Sequence, residues 1–205
     1  ESLEELKSFV LENYILKDFK SLFYRYERVL EELAEEQGKK IQFEITGERI
    51  LVDPKDFMAF INISLHLFRN IVDHGVETPE ERVEKVKPEV ATVRMSFRKE
   101  SNRFKITLED DGKGIDPKVI KEKVIEVGIK KEEDLKNFDD NSLVNLIFLP
   151  GFSTKKNVTD ISGRGVGMDA VKAKIEELEG TIKLVSEVDK GTKYIIEIPL
   201  LKKGT

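Results

Sequence analysis

At 205 residues the chain has the length of one domain of above-average size, or of one domain with a helical extension, and enough to bury a real core. Its 35 Lys and Arg against 40 Asp and Glu, a formal net charge of -5, provide no positive excess for a general grip on nucleic acid, and no such partner is expected. No run approaches the roughly 18 apolar residues of a membrane helix, no signal-peptide pattern opens the chain, and without cysteine there are no disulfides or thiol chemistry, so the cytoplasm is the expected compartment with no direct membrane insertion.

The chain opens on Glu1 rather than methionine, which reads as a piece of a longer protein. Leu3 to Leu16 is helix-like, so residues 1–18 are read as a helical linker or N-terminal helix and residues 19–205 as the main domain. Phe19, Leu22, Phe23, Tyr26, Val29, Leu30 and Leu33 recur at helical spacing, which predicts an amphipathic helix from Phe19 to Ala34 stopped by Gly38. Alternation at Ile41, Phe43 and Ile45 predicts a strand. A short strand at Ile50 to Val52 follows, and Pro54 then opens a helix running to about His74. Strands are expected at Ala91 to Arg98 and Arg103 to Glu109, and helices at Pro117 to Val127 and near Ser142 to Phe148. A loop rich in Gly, Ser and Thr from Pro150 to Gly165, a helix from Val166 to Leu178 and a hairpin of Thr181 to Ser186 with Lys193 to Pro199 close the chain. Helices on one face of a mixed sheet make a two-layer α/β (α+β) sandwich.

Four features carry chemistry. On the otherwise apolar helix around position 65, His66, Arg69, Asn70, Asp73 and His74 form one polar stripe, which on its own also fits a solvated helix face. The alternation of Phe104, Ile106 and Leu108 puts Asp110 on the apolar face of its strand. A carboxylate there needs a fixed donor, such as a ligand amino group, because burying it unpaired costs several kcal/mol. Asp110 can also cap the turn made by Gly112 and Gly114. Thr192 shares parity with Tyr194, Ile196 and Ile198, so its hydroxyl faces the same layer. Gly163, Gly165 and Gly167 stand in the order GRGVGMD just before a helix, where backbone N–H groups and the helix dipole favour an anion such as phosphate. This is neither a Walker A loop nor a Rossmann fingerprint. The long loop before it has the length and composition of a closing lid.

Together, HLFRN with DHG (His66 to Gly75), DDGKGID (Asp110 to Asp116), PGFST (Pro150 to Thr154), GRGVGMD (Gly163 to Asp169) and GT (Gly191, Thr192) resemble, in order, the N box, first glycine box, F box, second glycine box and closing threonine of GHKL ATPases. The resemblance covers about Phe19 to Leu200, and VETPEER (Val76 to Arg82) adds a specific likeness to the CheA-type histidine kinases. It implies a Bergerat-type mixed sheet with an ATP lid, ATP and Mg²⁺ as cofactors, and Asn70 holding the metal. It further implies that Asp110 accepts the adenine amino hydrogen and that Thr192 supports the adenine pocket. His66, Arg69, Asp73, His74 and Lys123 would lie near the phosphates. Gly112, Gly114, Ile115 and Met168 would line the nucleotide, Gly163, Arg164, Gly165, Val166 and Gly167 would wrap the triphosphate, and Ser153 and Thr154 would belong to the lid.

GHKL hydrolases usually carry a water-activating glutamate four residues before the metal-binding Asn, where this chain has His66. A neutral imidazole is a competent nucleophile, so phosphoryl transfer to a histidine needs no strong base, and the substitution favours a kinase in which His66 and Asn70 are catalytic. The only histidines are His66 and His74, both within the nucleotide motifs. Transfer is therefore expected to a histidine-phosphotransfer domain in trans or elsewhere in the full-length protein, with a response regulator downstream. A GHKL ATPase acting as a conformational switch and a non-catalytic nucleotide-binding module are the alternative readings.

Overall fold

The structure, a computed structural model, describes residues 3–10, 15–152 and 167–200. Its centre is a five-stranded mixed sheet in the order β2-β4-β5-β7-β6. These strands are β2 (Ile41–Gly47), β4 (Ala91–Glu100), β5 (Arg103–Asp110), β6 (Thr181–Glu187) and β7 (Gly191–Pro199). β2 and β4 pair in parallel and the other neighbours are antiparallel. Two residues at each of β1 (Lys17–Asp18) and β3 (Leu51–Val52) form a separate antiparallel ribbon.

Strand alternation divides the sheet into two unlike faces. The inner face carries Val93, Met95, Phe97, Phe104, Ile106, Leu108, Tyr194, Ile196 and Ile198, all buried beneath the helices. The outer face carries a ladder of charge running across four strands. Arg94 meets Glu44 at 2.8 Å and Glu109 at 3.2 Å, and Lys193 meets Glu109 at 2.6 Å. A face so charged stays in water, so the helices α2 (Tyr24–Glu35), α3 (Pro54–Asn70) and α7 (Met168–Glu177) contribute buried side chains to the inner layer alone. This is the two-layer sandwich expected from the sequence.

Phe19 ties the N-terminal part of the domain to that core. It is fully buried, stacks on Phe104 at 5.1 Å and meets Phe97 edge-on at 4.9 Å. The helix predicted from Phe19 begins differently: Phe19–Leu22 is a 3-10 turn capped by Asp18, and the α-helix starts only at Tyr24. Phe19 and Phe23 are both fully buried on either side of this turn, 5.3 Å apart ring to ring. Near the N-terminus the helix α1 covers Leu3–Val10, and residues 11–14 of the predicted stretch lie outside the described residues.

α3 starts as its sequence dictates. Asp53 accepts the Lys55 backbone N–H, and Pro54 occupies the first turn, where a missing N–H costs nothing. Its end departs from the sequence expectation of a helix continuing to His74. The α-helix stops at Asn70, and Ile71–Gly75 form a wider π-type turn closed by the Val76 N–H to the Ile71 carbonyl. Lys39 supports this wider turn by donating to the carbonyls of Val72 (2.5 Å) and Asp73 (3.2 Å). Two further helices, α5 (Pro117–Glu126) and the short α6 (Asp140–Val144), the latter continuing as a 3-10 turn to Phe148, cover the far end of the sheet. A short helix that the sequence reading did not anticipate, α4 (Pro79–Glu84), begins with a capping box between Thr78 and Glu81. Among the described residues no helix is long and apolar enough to cross a membrane.

Candidate functional site

The last pair of the β5–β7 ladder sets Asp110 directly opposite Thr192, and β4 brings Val93 beside Asp110 on the other side. Both Asp110 and Thr192 point into the inner layer, with 7% and 5% of their surface exposed. Asp110 Oδ1 accepts the Gly112 N–H at 2.9 Å, so the carboxylate does cap its turn. Oδ2 is buried and has no hydrogen-bond partner among the described residues. Burial pushes the Asp110 carboxyl up to about 6, against the pull of the Gly112 and Thr192 backbone N–H groups and with the negative charges of Asp111 and Glu77 adding to the rise. An acceptor left open in a dry place costs several kcal/mol and is explained when a ligand supplies the missing donor.

The surrounding backbone approaches Asp110 more closely than side chains would allow. A Cβ on Gly191, which has φ of +110°, would stand 1.9 Å from the Asp110 carbonyl oxygen. A Cβ on Gly112 would stand 2.2 Å from the Gly75 carbonyl oxygen, the same oxygen that accepts the Lys113 N–H at 2.9 Å. The end of the π-type turn is thereby docked on the turn that follows β5. Gly75 itself faces the carboxylate, where a Cβ would rest 3.4 Å from Oδ2.

Thr192 belongs to a hydroxyl pair that the sequence reading missed. Ser186 Oγ lies 2.9 Å from Thr192 Oγ1, accepts the Ile115 N–H at 2.9 Å and donates to the Gly191 carbonyl at 2.9 Å. The single Ser186 proton goes to that carbonyl, so Thr192 is the donor within the pair and keeps its own lone pairs for a neighbour. Ile115 and Gly114 are held against the β6–β7 turn by this bond and by the close approach of Gly114 to the Glu187 carbonyl.

The polar stripe lies along α3 and the turn that follows it. His66 and Asn70, one turn apart, are half-buried, and Arg69 is exposed. Asp73 accepts from Gln37 at 2.6 Å and faces Arg69 at 3.7 Å. His74 is exposed at the end of the π-type turn. The Asn70 amide donates to the Met168 thioether at 3.0 Å. That contact brings the stripe to the start of α7, where Gly167 is the N-cap and the Ala170 N–H is taken by the Gly167 carbonyl and the Asp169 carboxylate. Lys123 on α5 lies 4.7 Å above the ring of Phe152, beside the PGFST segment.

The profile of the family described as histidine kinase-, DNA gyrase B- and HSP90-like ATPases matches residues 61–202, from within α3 to beyond the end of β7. The chain belongs to this ATPase family. Among curated members of the wider group, the chemotaxis protein CheA of Borreliella burgdorferi is 44% identical over 180 residues, which cover 88% of this chain and 21% of that protein. The sensor histidine kinase CheAY of Helicobacter pylori is 44% identical over 179 residues, covering 87% and 22%. CheA of Bacillus subtilis is 38% identical over 196 residues, covering 96% and 29%. The chain thus spans between 21% and 29% of the length of these relatives. The solved catalytic domain of histidine kinase ThkA superposes with a TM-score of 0.50 at 20% identity, covering 90% of this chain and 95% of that one. The histidine kinase domain of a blue-light activated kinase from Erythrobacter litoralis EL346 gives 0.52 at 13% identity, covering 89% and 61%. These solved structures share the fold of this ATPase domain.

Of the site residues expected in this ATPase, the structure brings Asp110, Gly112, Gly114, Ile115 and Thr192 together at one end of β5 and β7, and Asn70 together with Met168. Ser153, Thr154, Gly163, Arg164, Gly165 and Val166 lie outside the described residues. Besides Ser186, sequence reasoning missed Glu77 and Arg82. Both are buried charges, with 4% and 0% of their surface exposed, against the back of the Asp110–Gly112 turn. The capping signature at Thr78 and Glu81 was the one local signal that a fixed element stands there.

Proposed function

We propose that this domain binds Mg·ATP and passes its γ-phosphoryl group to a histidine on a separate phosphotransfer domain, as the kinase unit of a CheA-like two-component histidine kinase. The observation that carries the nucleotide reading is the open, buried Oδ2 of Asp110. An adenine amino group is a neutral donor of the kind this oxygen lacks, whereas guanine offers a carbonyl at the corresponding place and would set oxygen against carboxylate. Thr192, with lone pairs to spare, stands opposite to complete the recognition of the base.

Asn70 is the residue assigned to the magnesium ion, which supplies charge neutralisation at the phosphates when bound. Among the described residues no group of three His, Cys, Asp or Glu side chains is assembled to hold a metal ion, which suits a magnesium ion that takes most of its ligands from phosphates and water. Gly167 and the first turn of α7 offer backbone N–H groups to an anion, and Asp73, His74, Arg69 and Lys123 complete a polar rim. His66 stands one turn before Asn70, so no carboxylate occupies that place to activate water. A neutral imidazole acceptor needs no such base. Ser153, Thr154 and Gly163 to Val166 are assigned to the lid.

The test is incubation with γ-labelled ATP and Mg²⁺, with and without an added histidine-phosphotransfer domain, following acid-labile protein phosphate and free phosphate together. Label on the added domain is the expected result. Free phosphate alone, at the same rate with and without that domain, would make the chain a hydrolase instead.

A further inference from the structure

The back of the Asp110–Gly112 turn is built from buried charge. The Arg82 side chain has no exposed surface, and each of its nitrogens is engaged. Nε donates to the Pro88 carbonyl at 2.6 Å, Nη1 to Glu77 Oε2 and to the Asp111 carbonyl, both at 3.2 Å, and Nη2 to Asp111 Oδ2 at 3.0 Å. Lys87 Nζ reaches Glu77 Oε1 at 2.8 Å, the Asp111 carbonyl at 3.0 Å and the Gly112 carbonyl at 2.7 Å. Asp111 Oδ1 accepts the Thr92 N–H at 3.0 Å. Lys85 also reaches Glu77 at 3.9 Å and pairs with Asp189 at 2.5 Å, so three cations and three carboxylates leave this cluster without net charge, and it acts on its surroundings by geometry more than by field.

What it fixes is one peptide unit. The carbonyl of Asp111 and the N–H of Gly112 belong to the same planar group and point in opposite directions. The carbonyl is held by Arg82 and Lys87, and the N–H therefore faces Asp110 Oδ1 at 2.9 Å. That bond decides which carboxylate oxygen is satisfied within the protein and which stays open.

We propose that Arg82 and Lys87 are positioning residues for base recognition: acting through the Asp111–Gly112 peptide, they orient the Asp110 carboxylate and so set the preference for adenine over guanine. The inference rests on the reading that Asp110 takes the adenine amino group. Without the cations the Asp111 carbonyl is released, Asp110 loses the Gly112 N–H and keeps only the pull of the Thr192 backbone N–H, and the carboxylate no longer presents one defined oxygen. It also holds its proton more tightly, because a hydrogen bond to the charged form is gone.

The experiment uses the whole chain in three forms, wild type, Lys87→Met and Asp110→Asn, with folding checked by circular dichroism. Mg·ADP is titrated by calorimetry between pH 5 and pH 8, and Mg·GDP is measured at pH 7.5 by its competition with Mg·ADP. Lys87→Met leaves the Arg82 contacts in place, and the expected result is about tenfold weaker Mg·ADP binding, the size of one hydrogen bond to a charged group. Mg·GDP binding should change by less than about twofold, and the pH below which Mg·ADP binding fades should move upward. A merely structural role would weaken both nucleotides alike and leave that pH where it was, and this result would overturn the proposal. If Asp110→Asn binds Mg·ADP like wild type, the adenine reading fails and the proposal with it. If Asp110→Asn loses binding while Lys87→Met keeps wild-type affinity and pH profile, the proposal alone fails. Should Lys87→Met not fold, the Glu77→Gln/Lys87→Met double variant removes the buried cation with its buried anion, and the same outcomes apply to it.

Discussion

Two buried carboxylates stand on opposite sides of one turn and are treated in opposite ways. Glu77, behind the turn, is met by Arg82 at 3.2 Å and Lys87 at 2.8 Å. Burial pushes its carboxyl up, but the Lys87 hydrogen bond, the backbone and both cations together hold it below the usual carboxylate range. Asp110, in front, has one oxygen bonded and one open, and burial carries its carboxyl up to about 6. The first arrangement is closed and serves the fold. The second carries a cost that the fold alone does not explain, and this is how a ligand-binding group is expected to differ from a structural one.

The largest effect that would break this comparison is on the closed side. Arg82→Met should cost about 3–5 kcal/mol in a urea unfolding titration, because it leaves Glu77 buried with fewer partners. A loss below about 1 kcal/mol would mean that the cluster is not structural at all. On the open side the sign reverses. The folded Asp110 carboxyl binds its proton more tightly than the unfolded one, so its contribution to stability is favourable at low pH and is lost as pH rises from about 4 through about 6. A rise of about two pH units is worth about 3 kcal/mol. In the absence of nucleotide, Asp110→Asn should therefore be more stable than wild type at pH 8 by up to that amount, and the gain should vanish near pH 4. Equal unfolding midpoints at both pH values would show that Asp110 is not under strain.

Smaller effects sharpen the same contrast. Thr192→Val removes one neutral hydroxyl from the pair with Ser186 and should weaken Mg·ADP binding by about 0.5–1.5 kcal/mol in calorimetry. Arg94→Ala, on the solvated ladder of the outer face, should change stability by less than about 1 kcal/mol and leave nucleotide binding untouched.

How much of this was legible in the sequence depended on whether a residue's role is local. Parity along Phe104, Ile106 and Leu108 placed Asp110 on the buried face, and parity with Tyr194, Ile196 and Ile198 placed Thr192 there, because strand alternation is fixed by the backbone itself. Pro54 announced the start of α3, because its fixed φ and missing N–H suit a first helical turn wherever they occur. Its end was not announced, since the π-type turn depends on Lys39 and Gln37, more than 30 positions away. Of the two-stranded ribbon the sequence announced β3, expected at Ile50 to Val52 and found at Leu51–Val52, but not β1, whose two residues are too few for any periodicity to register. Glu77, Arg82 and Lys87 fall in a stretch for which no element was predicted, and only their tertiary placement turns them into a buried cluster. Ser186 looked like one more strand residue until Ile115 and Gly191 were brought to it.

The most direct test of the account is the affinity of the wild-type domain for Mg·ADP, measured by calorimetry from pH 5 to pH 8, beside Asp110→Asn under the same conditions. An ionised Asp110 is the acceptor this account requires. Wild-type affinity should be level near pH 8 and fall as pH drops through about 6, while Asp110→Asn should bind roughly 10- to 100-fold more weakly at pH 8 and show no such transition. Equal affinities at pH 8, with the same pH profile in both proteins, would contradict it.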